Sequence, residues 1–354
     1  MERDVDLLHR AKGCLLGLAI GDAMGMPTSF LPVSVIERTY GFIKDFQAPP
    51  SGHIYHQGLR RAEITDDTEQ SLALATSFIR FGRIDPTDIV QELLAWAQRV
   101  ENKYTSPFGP STWQAFQRIK SGVALNEAGR NGDTNGAAMR IAPLGIIHGA
   151  RSSSLEDVLS DVALACLPTH GTQVAIASAT AVAWAIARCF HNQPSILDIL
   201  EEAEKAAEAR NQFGYPTTAP SVARRIAWVS EQVRRHRPAE RILNELYELF
   251  GGGVPAADSV PVALGVFAVC QGNPRQIALM AANRGADSDT IGAIAGAIGG
   301  AYAGDQAIPA EWAAVVQQVN QIDFSSIASS LVELAQRWQP ADKNEVVSFY
   351  SGGE

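Results

Sequence analysis

Cysteine, positive charge and long apolar runs are all in short supply in this chain. Four cysteines among 354 residues, at 14, 166, 189 and 270, lie far apart in apolar stretches. No pair has metal-ligand spacing, so neither a disulfide framework nor a thiolate metal site is expected, and four buried thiols in a reducing cytoplasm are. Lys and Arg number 29 against 38 Asp and Glu, a formal net charge of −9, which argues against nucleic-acid backbones and anionic membranes as partners. The basic cluster "RRHRPAER" (234–241) carries its own glutamate and a proline and reads as a solvated helix end and turn. The start, "MERDVDLLHR", lacks a basic segment followed by a long apolar one, so no secretory signal is expected and the cytoplasm is the expected compartment. The apolar run in "NRGADSDTIGAIAGAIGGAYAG" (283–304) is shorter than the roughly 20 residues that span a bilayer.

Alternating strands are missing as well. Stretches such as "SLALATSFIRF", "VAIASATAVAWAIARCF" and "PVALGVFAVC" are alanine-rich and apolar, while "DILEEAEKAAEARNQ" and "SSIASSLVELAQRWQ" carry the three-and-four spacing of half-exposed helices. Turn signals, "PPSGH", "RNGDTNG", "FGYPTTAP" and "FGGGVP", divide the chain into about a dozen helices. No low-complexity linker interrupts it. The pattern predicts one all-α domain over 1–354, with the tail from about 341, "NEVVSFYSGGE", loosely attached.

Two acidic clusters stand directly before helical patterns: Thr65, Asp66 and Asp67 in "AEITDDTEQSLALATSFI", and Asp287, Asp289 and Thr290 in "GADSDTIGAIAG". Taken singly, each acid has a capping explanation. Asp66 with Glu69 fits a capping box, and Asp289 fits an N-cap at the positive end of the helix dipole. Taken together they exceed that need, because a cap requires one short polar side chain and each cluster offers two carboxylates and a hydroxyl. Carboxylates packed this closely repel unless protons or a cation relieve them. The all-oxygen donor set suits Mg²⁺ or Mn²⁺ rather than zinc, and two such clusters meeting in space would suit a pair of ions.

Five stretches in order, "GCLLGLAIGDAMGMP" (13–27), "TDDT" (65–68), "NGAAMRIAPLG" (135–145), "THGTQVAIASA" (169–179) and "GADSDTIGAIAGAIGGAYAG" (285–304), resemble the ADP-ribosylglycohydrolase family nearly end to end. The resemblance implies a compact all-α, orthogonal multi-helix fold with a binuclear Mg²⁺ or Mn²⁺ centre. Carried onto matching positions, its metal ligands are Thr65, Asp66, Asp67, Asp287, Asp289 and Thr290. It also implies hydrolysis of an N- or O-glycosidic bond at the anomeric carbon of a ribose, through an oxocarbenium-like transition state. Asp67 or Asp289 would supply the general base.

Three further positions follow from the resemblance. Asn135 and Gly136, in a glycine-rich loop that otherwise reads as an ordinary turn, would lie near the substrate's phosphates or ribose, and His170 beside the substrate. Many members carry a loop glutamate eight residues after the glycine of "GD", where this chain has Ser29. A serine cannot serve as acid or base near neutral pH, so either Glu63 substitutes from another direction or the reaction is not the standard removal of ADP-ribose from protein. Ser29 is expected at the substrate with little role of its own, and Ser29→Glu to shift activity toward ADP-ribosylated substrates. His53 and His56, in a Pro/Gly loop without a third ligand, read as loop residues. The implied partner is a small ADP-ribosyl or ribosyl compound or an ADP-ribosylated protein. The alternatives are a hydrolase of a free N-riboside or nucleoside, and a silent binding or crystallin-like structural protein.

Glycines 13, 17, 21 and 25, and again 292, 296, 300 and 304, recur every fourth residue and so form two stripes. The expectation is that the two striped helices lie at the centre of the molecule, packed together or on a shared partner.

Overall fold

The computed structural model describes residues 2–101, 103, 109–191 and 194–351. Within them lie nineteen α-helices, three short 3-10 turns and two isolated β-bridges, without a strand. The excess over a dozen comes from one-turn and two-turn pieces such as Leu125–Ala128 and Gly136–Met139, too short to leave a periodic signal.

At the centre the N-terminal helix, Glu2–Gly25, lies along the helix Ser288–Ala303. The two glycine stripes face one another. A methyl group on Gly13, Gly17 or Gly21 would collide with the carbonyl oxygen of Gly300, Gly296 or Gly292, and the reverse substitutions would collide in turn. The helices meet backbone to backbone, and the expected central pairing is what the structure has.

Around this pair pack Ala142–Arg151, Ala256–Val269, Pro274–Ala282 and Phe324–Ala335. Gln173–Arg188 is buried without interruption from Val174 to Ala187, which explains a stretch apolar on every face. Pro261 lies inside Ala256–Val269 and removes one helical donor. The carbonyl of Ala257, four residues earlier, instead accepts from Arg225 Nη1 at 2.7 Å. One contiguous apolar core runs from Leu7 to Val346.

The tail departs from the expectation of a loose end. Asp161 accepts from Trp338 Nε1 and from Ala341 N, each at 2.7 Å. Lys343–Ser351 then forms a helix with Val346 buried and Tyr350 Oη donating to Ala163 O at 2.7 Å. The polar surface of this segment hid two aromatic anchors with buried partners.

No single helix among the described residues is long and apolar enough to cross a membrane. All four cysteines are buried and free.

Candidate active site

The first acidic cluster opens the helix Asp66–Phe81, whose N-cap residue is Thr65. Its cap comes from another helix. The Asp22 carboxylate accepts from Thr65 N (3.0 Å), Thr68 N (3.2 Å), Thr65 Oγ1 (2.7 Å) and Thr68 Oγ1 (2.5 Å). An acceptor and a negative charge are thereby placed on the orphan N–H groups of the first turn. The expected capping box is absent: Glu69 accepts from Trp96 Nε1 and pairs with Lys103. With the capping task held by Asp22, Asp66 and Asp67 are available for something else.

The second cluster opens Ser288–Ala303, where the glycine pairing has drawn it beside the first. Asp289 sits at the junction. Its Oδ1 accepts from Ser29 Oγ (2.6 Å) and Thr290 N (3.1 Å), and its Oδ2 is 2.9 Å from His56 Nε2. Asp287 Oδ2 accepts from Asn135 Nδ2 at 2.6 Å. Residues 28–30 are fastened to the same turn, through Thr28 Oγ1 to Ser288 Oγ (3.1 Å), the Ser29 bond, and Phe30 N to Ala286 O (2.6 Å).

Asp66, Asp67, Asp287, Asp289, Thr290, Asn135 and Gly136 line one cleft of about 690 Å³ including its mouth, together with Phe30, Tyr55, His56, Thr112, Thr134, Met139 and Val254. Most of the sequence-selected residues therefore converge. Thr65 does not line the cleft; its hydroxyl is turned to Asp22 and to Asp67 Oδ2 (3.2 Å). Asn135 lines it with its amide already engaged, on Asp287 and on Ser259 Oγ (3.1 Å), and its N–H donates to Val254 O.

Two more of the sequence-selected residues lie off the cleft lining. His170 stands behind the wall, between Thr134 Oγ1 (3.0 Å) and Thr169 Oγ1 (2.8 Å), with its ring against Gly136, where a Cβ would strike it. It supports the loop from below, which explains the glycine. Ser29 is fully buried and turned to Asp289 rather than toward substrate space. Glu63 offers no substitute acid, because it faces a different groove and pairs with Arg60 and Lys103.

His56 is the residue that sequence reasoning passed over. The turn is set by His53 Nδ1, which accepts from Tyr55 N and His56 N, and it delivers the His56 ring to Asp289. The "HIYH" spacing was a signal, but of a turn rather than of a paired metal ligand.

The electrostatics are those of crowded buried acids. Burial, then the charge of Asp289, pushes the Asp66 carboxyl up to about 7. Burial opposed by the Thr68 and Thr65 hydrogen bonds leaves Asp22 at about 6. Asp67 and Asp287 are raised well above the carboxylate range, by burial first and by neighbouring acids second. Asp289 goes the other way: burial would raise it, but His56 and Ser29 hold it below the usual range. Burial would lower His56, and its bond to Asp289 raises it. An imidazolium–carboxylate pair results.

These residues fit a hard cation. Asp67 Oδ1 is buried without a hydrogen-bond partner, and an orphaned carboxylate oxygen among other acids is a costly arrangement that a cation relieves. Among the described residues no three His, Cys, Asp or Glu side chains already close on one point. An ion here would complete its shell with the Thr290 hydroxyl and water, as Mg²⁺ commonly does.

Comparison with known proteins identifies the family. Residues 3–341 match the family described as ADP-ribosylglycohydrolase. The chain is 37% identical over 330 residues to the uncharacterized protein YegU of Escherichia coli, covering 93% of this chain and 98% of that one. It is 28% identical over 334 residues to the ADP-ribosylarginine hydrolase Tri1 of Serratia proteamaculans, covering 93% and 80%. In fold it resembles a chain of a solved ADP-ribosylglycohydrolase-related protein complex, with TM-score 0.64 at 24% identity, covering 94% and 99%.

Proposed function

The chain belongs to the ADP-ribosylglycohydrolase family and is a hydrolase of glycosyl bonds, and from that premise we propose that it cleaves the bond at the anomeric carbon of a ribosyl compound with the help of Mg²⁺ or Mn²⁺. The observation that carries the proposal is the meeting of Asp66, Asp67, Asp287 and Asp289 in one cleft with Asp67 Oδ1 unpartnered. A protein of purely structural role would gain nothing from crowding three acids that resist ionisation around a fourth that stays ionised; replacing such a cluster with apolar residues commonly stabilises.

Divalent cations in this cleft would lower the pKa of a bound water and hold ribose hydroxyls. Asp66, Asp287, Asp289 and Thr290 would hold them, and Asp67 Oδ1 would face the water that completes an ion's shell. Between the two candidates for general base, the geometry favours Asp67. Both Asp289 oxygens are engaged, whereas Asp67 Oδ1 is open to take a proton from the attacking water. Asp289, kept ionised by His56, places negative charge where the ribose becomes cationic. Asn135 and Ser29 fix the rotamers of Asp287 and Asp289.

The test combines calorimetric titration of metal-stripped protein with product analysis on ADP-ribosyl-arginine, ADP-ribosyl-serine and nucleosides. The Asp287→Ala/Asp289→Ala variant should lose both cation binding and hydrolysis. Unchanged cation stoichiometry in that variant, or full wild-type turnover in chelator, overturns the metal-assisted reading.

A further inference from the structure

The outer part of the cleft is built for something other than ribose hydroxyls. Phe30 and Tyr55 line it with ring centroids 5.0 Å apart and planes at 62°, which makes an aromatic corner. Tyr55 is 38% exposed, and Ile54 beside it is 67% exposed, so the corner stands at the lip. Each ring is one residue from a group that holds Asp289. Phe30 follows Ser29, and Tyr55 precedes His56. Consecutive Cα atoms are about 3.8 Å apart, so the corner adjoins the acidic centre at the reach of a group bonded to an anomeric carbon there.

The corner is held at a cost. Phe30 adopts φ 60, a left-handed conformation uncommon for a bulky side chain, opposite Ala286 at φ 56, and the 2.6 Å hydrogen bond from Phe30 N to Ala286 O fastens the two. Strain of this kind persists where surrounding contacts over-determine it, and it marks functional positions. Among the described residues, no Lys or Arg lines the cleft. Away from the acids, Pro110, Met139 and Val254 complete an apolar part of the lining.

Resting on the ribosyl-hydrolase reading above, we infer that the Phe30–Tyr55 corner receives the leaving group, and that this group is a planar, uncharged, nitrogen-linked heteroaromatic ring. Two rings meeting at an angle give a flat partner one face to stack on and one edge to abut, the arrangements aromatic pairs prefer. A charged diphosphate would find no Lys or Arg among the described lining residues, and four carboxylates beside it. In the reaction a water oxygen bonds to the anomeric carbon and gives one proton to a carboxylate. The carbon–nitrogen bond breaks, its electron pair stays with the ring nitrogen, and that nitrogen takes up the proton the carboxylate received, so free ribose and free base result.

The experiment uses the full chain with Mn²⁺ and compares adenosine and uridine, each as both anomers, with methyl ribofuranoside and ADP-ribosyl-arginine. The variants are Phe30→Leu and Tyr55→Leu, checked for folding by thermal melts. Each should lower kcat/KM on the N-ribosides by about tenfold or more while changing the methyl riboside by less than about twofold. Equal losses on both classes, no loss on either, or a preference for ADP-ribosyl-arginine over every nucleoside overturns the inference. If nothing is hydrolysed, the ribosyl-hydrolase reading fails, and calorimetric binding of free adenine and uracil still decides the corner. Binding by the wild type that is lost in both variants supports it, and absence of binding by the wild type refutes it.

Discussion

Ser29 Oγ, 2.6 Å from Asp289 Oδ1, gives a position that looked like the loss of a catalytic acid a different task. The hydroxyl neither donates a proton in the reaction nor faces substrate space. It orients a buried carboxylate, and a hydrogen bond to a charged group contributes about 1.5–3 kcal/mol. Ser29→Ala should therefore lower kcat by roughly tenfold with KM little changed, because the loss falls on the orientation of Asp289. Unaltered kcat with raised KM would return Ser29 to substrate contact. Ser29→Glu is expected to destabilise the fold rather than redirect activity, since it forces a fifth carboxylate into a fully buried position against Asp289. The acids themselves were legible as two clusters. The partnership of His56 with Asp289 was not, because those residues are 233 positions apart and no local pattern links them.

At the scale of elements, the glycine stripes decide how close the two acidic helix starts can come. Glycine within a helix costs about 1 kcal/mol relative to alanine, so the seven stripe glycines that lie inside the two helices imply a compensating contact. That contact is the Glu2–Gly25 helix against Ser288–Ala303, at a separation that leaves no room for a Cβ between Gly17 and Gly296. Gly299 in the same helix offers an internal control, because a methyl there meets Ile277 Cδ1, the far end of a flexible side chain. In denaturant unfolding, Gly296→Ala should destabilise by about 1–3 kcal/mol or more despite its better helix propensity. Gly299→Ala should cost distinctly less. Cation affinity should fall in the first variant, since parting the helices parts Asp22 and Thr65 from Asp289. Equal stability of the two variants would mean that the helices can separate freely.

Over the whole molecule, the crowding of acids becomes a dependence of stability on pH. An ordinary aspartate titrates near 3.9 in an unfolded chain, whereas Asp22 and Asp66 are raised to about 6 and about 7 when folded, with Asp67 and Asp287 raised as well. Between those values the folded state holds more protons than the unfolded one, so stability falls as pH rises. His56, raised by Asp289, adds a contribution in the same direction, present at low pH and lost as pH rises through its folded pKa. Asp289 opposes it only at the acid end, where its depressed folded pKa makes stability drop as pH falls. In chelator, the Tm should therefore decline from pH 5 to pH 8. Mn²⁺ or Mg²⁺ should restore it most at pH 8, where fewer protons need be displaced. Scanning calorimetry with and without cation checks this, and an identical pH profile in both conditions would count against a cation site.

The sequence by itself determined the helical class, the two acid-rich helix starts, the glycine periods and the departure at Ser29. All of these are written in spacings of a few residues, the range over which helix geometry fixes which side chains share a face. The tertiary structure decided what those faces meet. It assigned the cap of the first acidic helix to Asp22, gave Asp289 to His56 and Ser29, turned Glu63 into another groove, moved His170 behind the cleft wall and docked the tail through Trp338 and Tyr350. Each of these depends on partners brought together from distant parts of the chain by the packing of helices. A single chain carries no local record of such pairings, because the same hydroxyl, imidazole or carboxylate can be satisfied by water until the core closes around it.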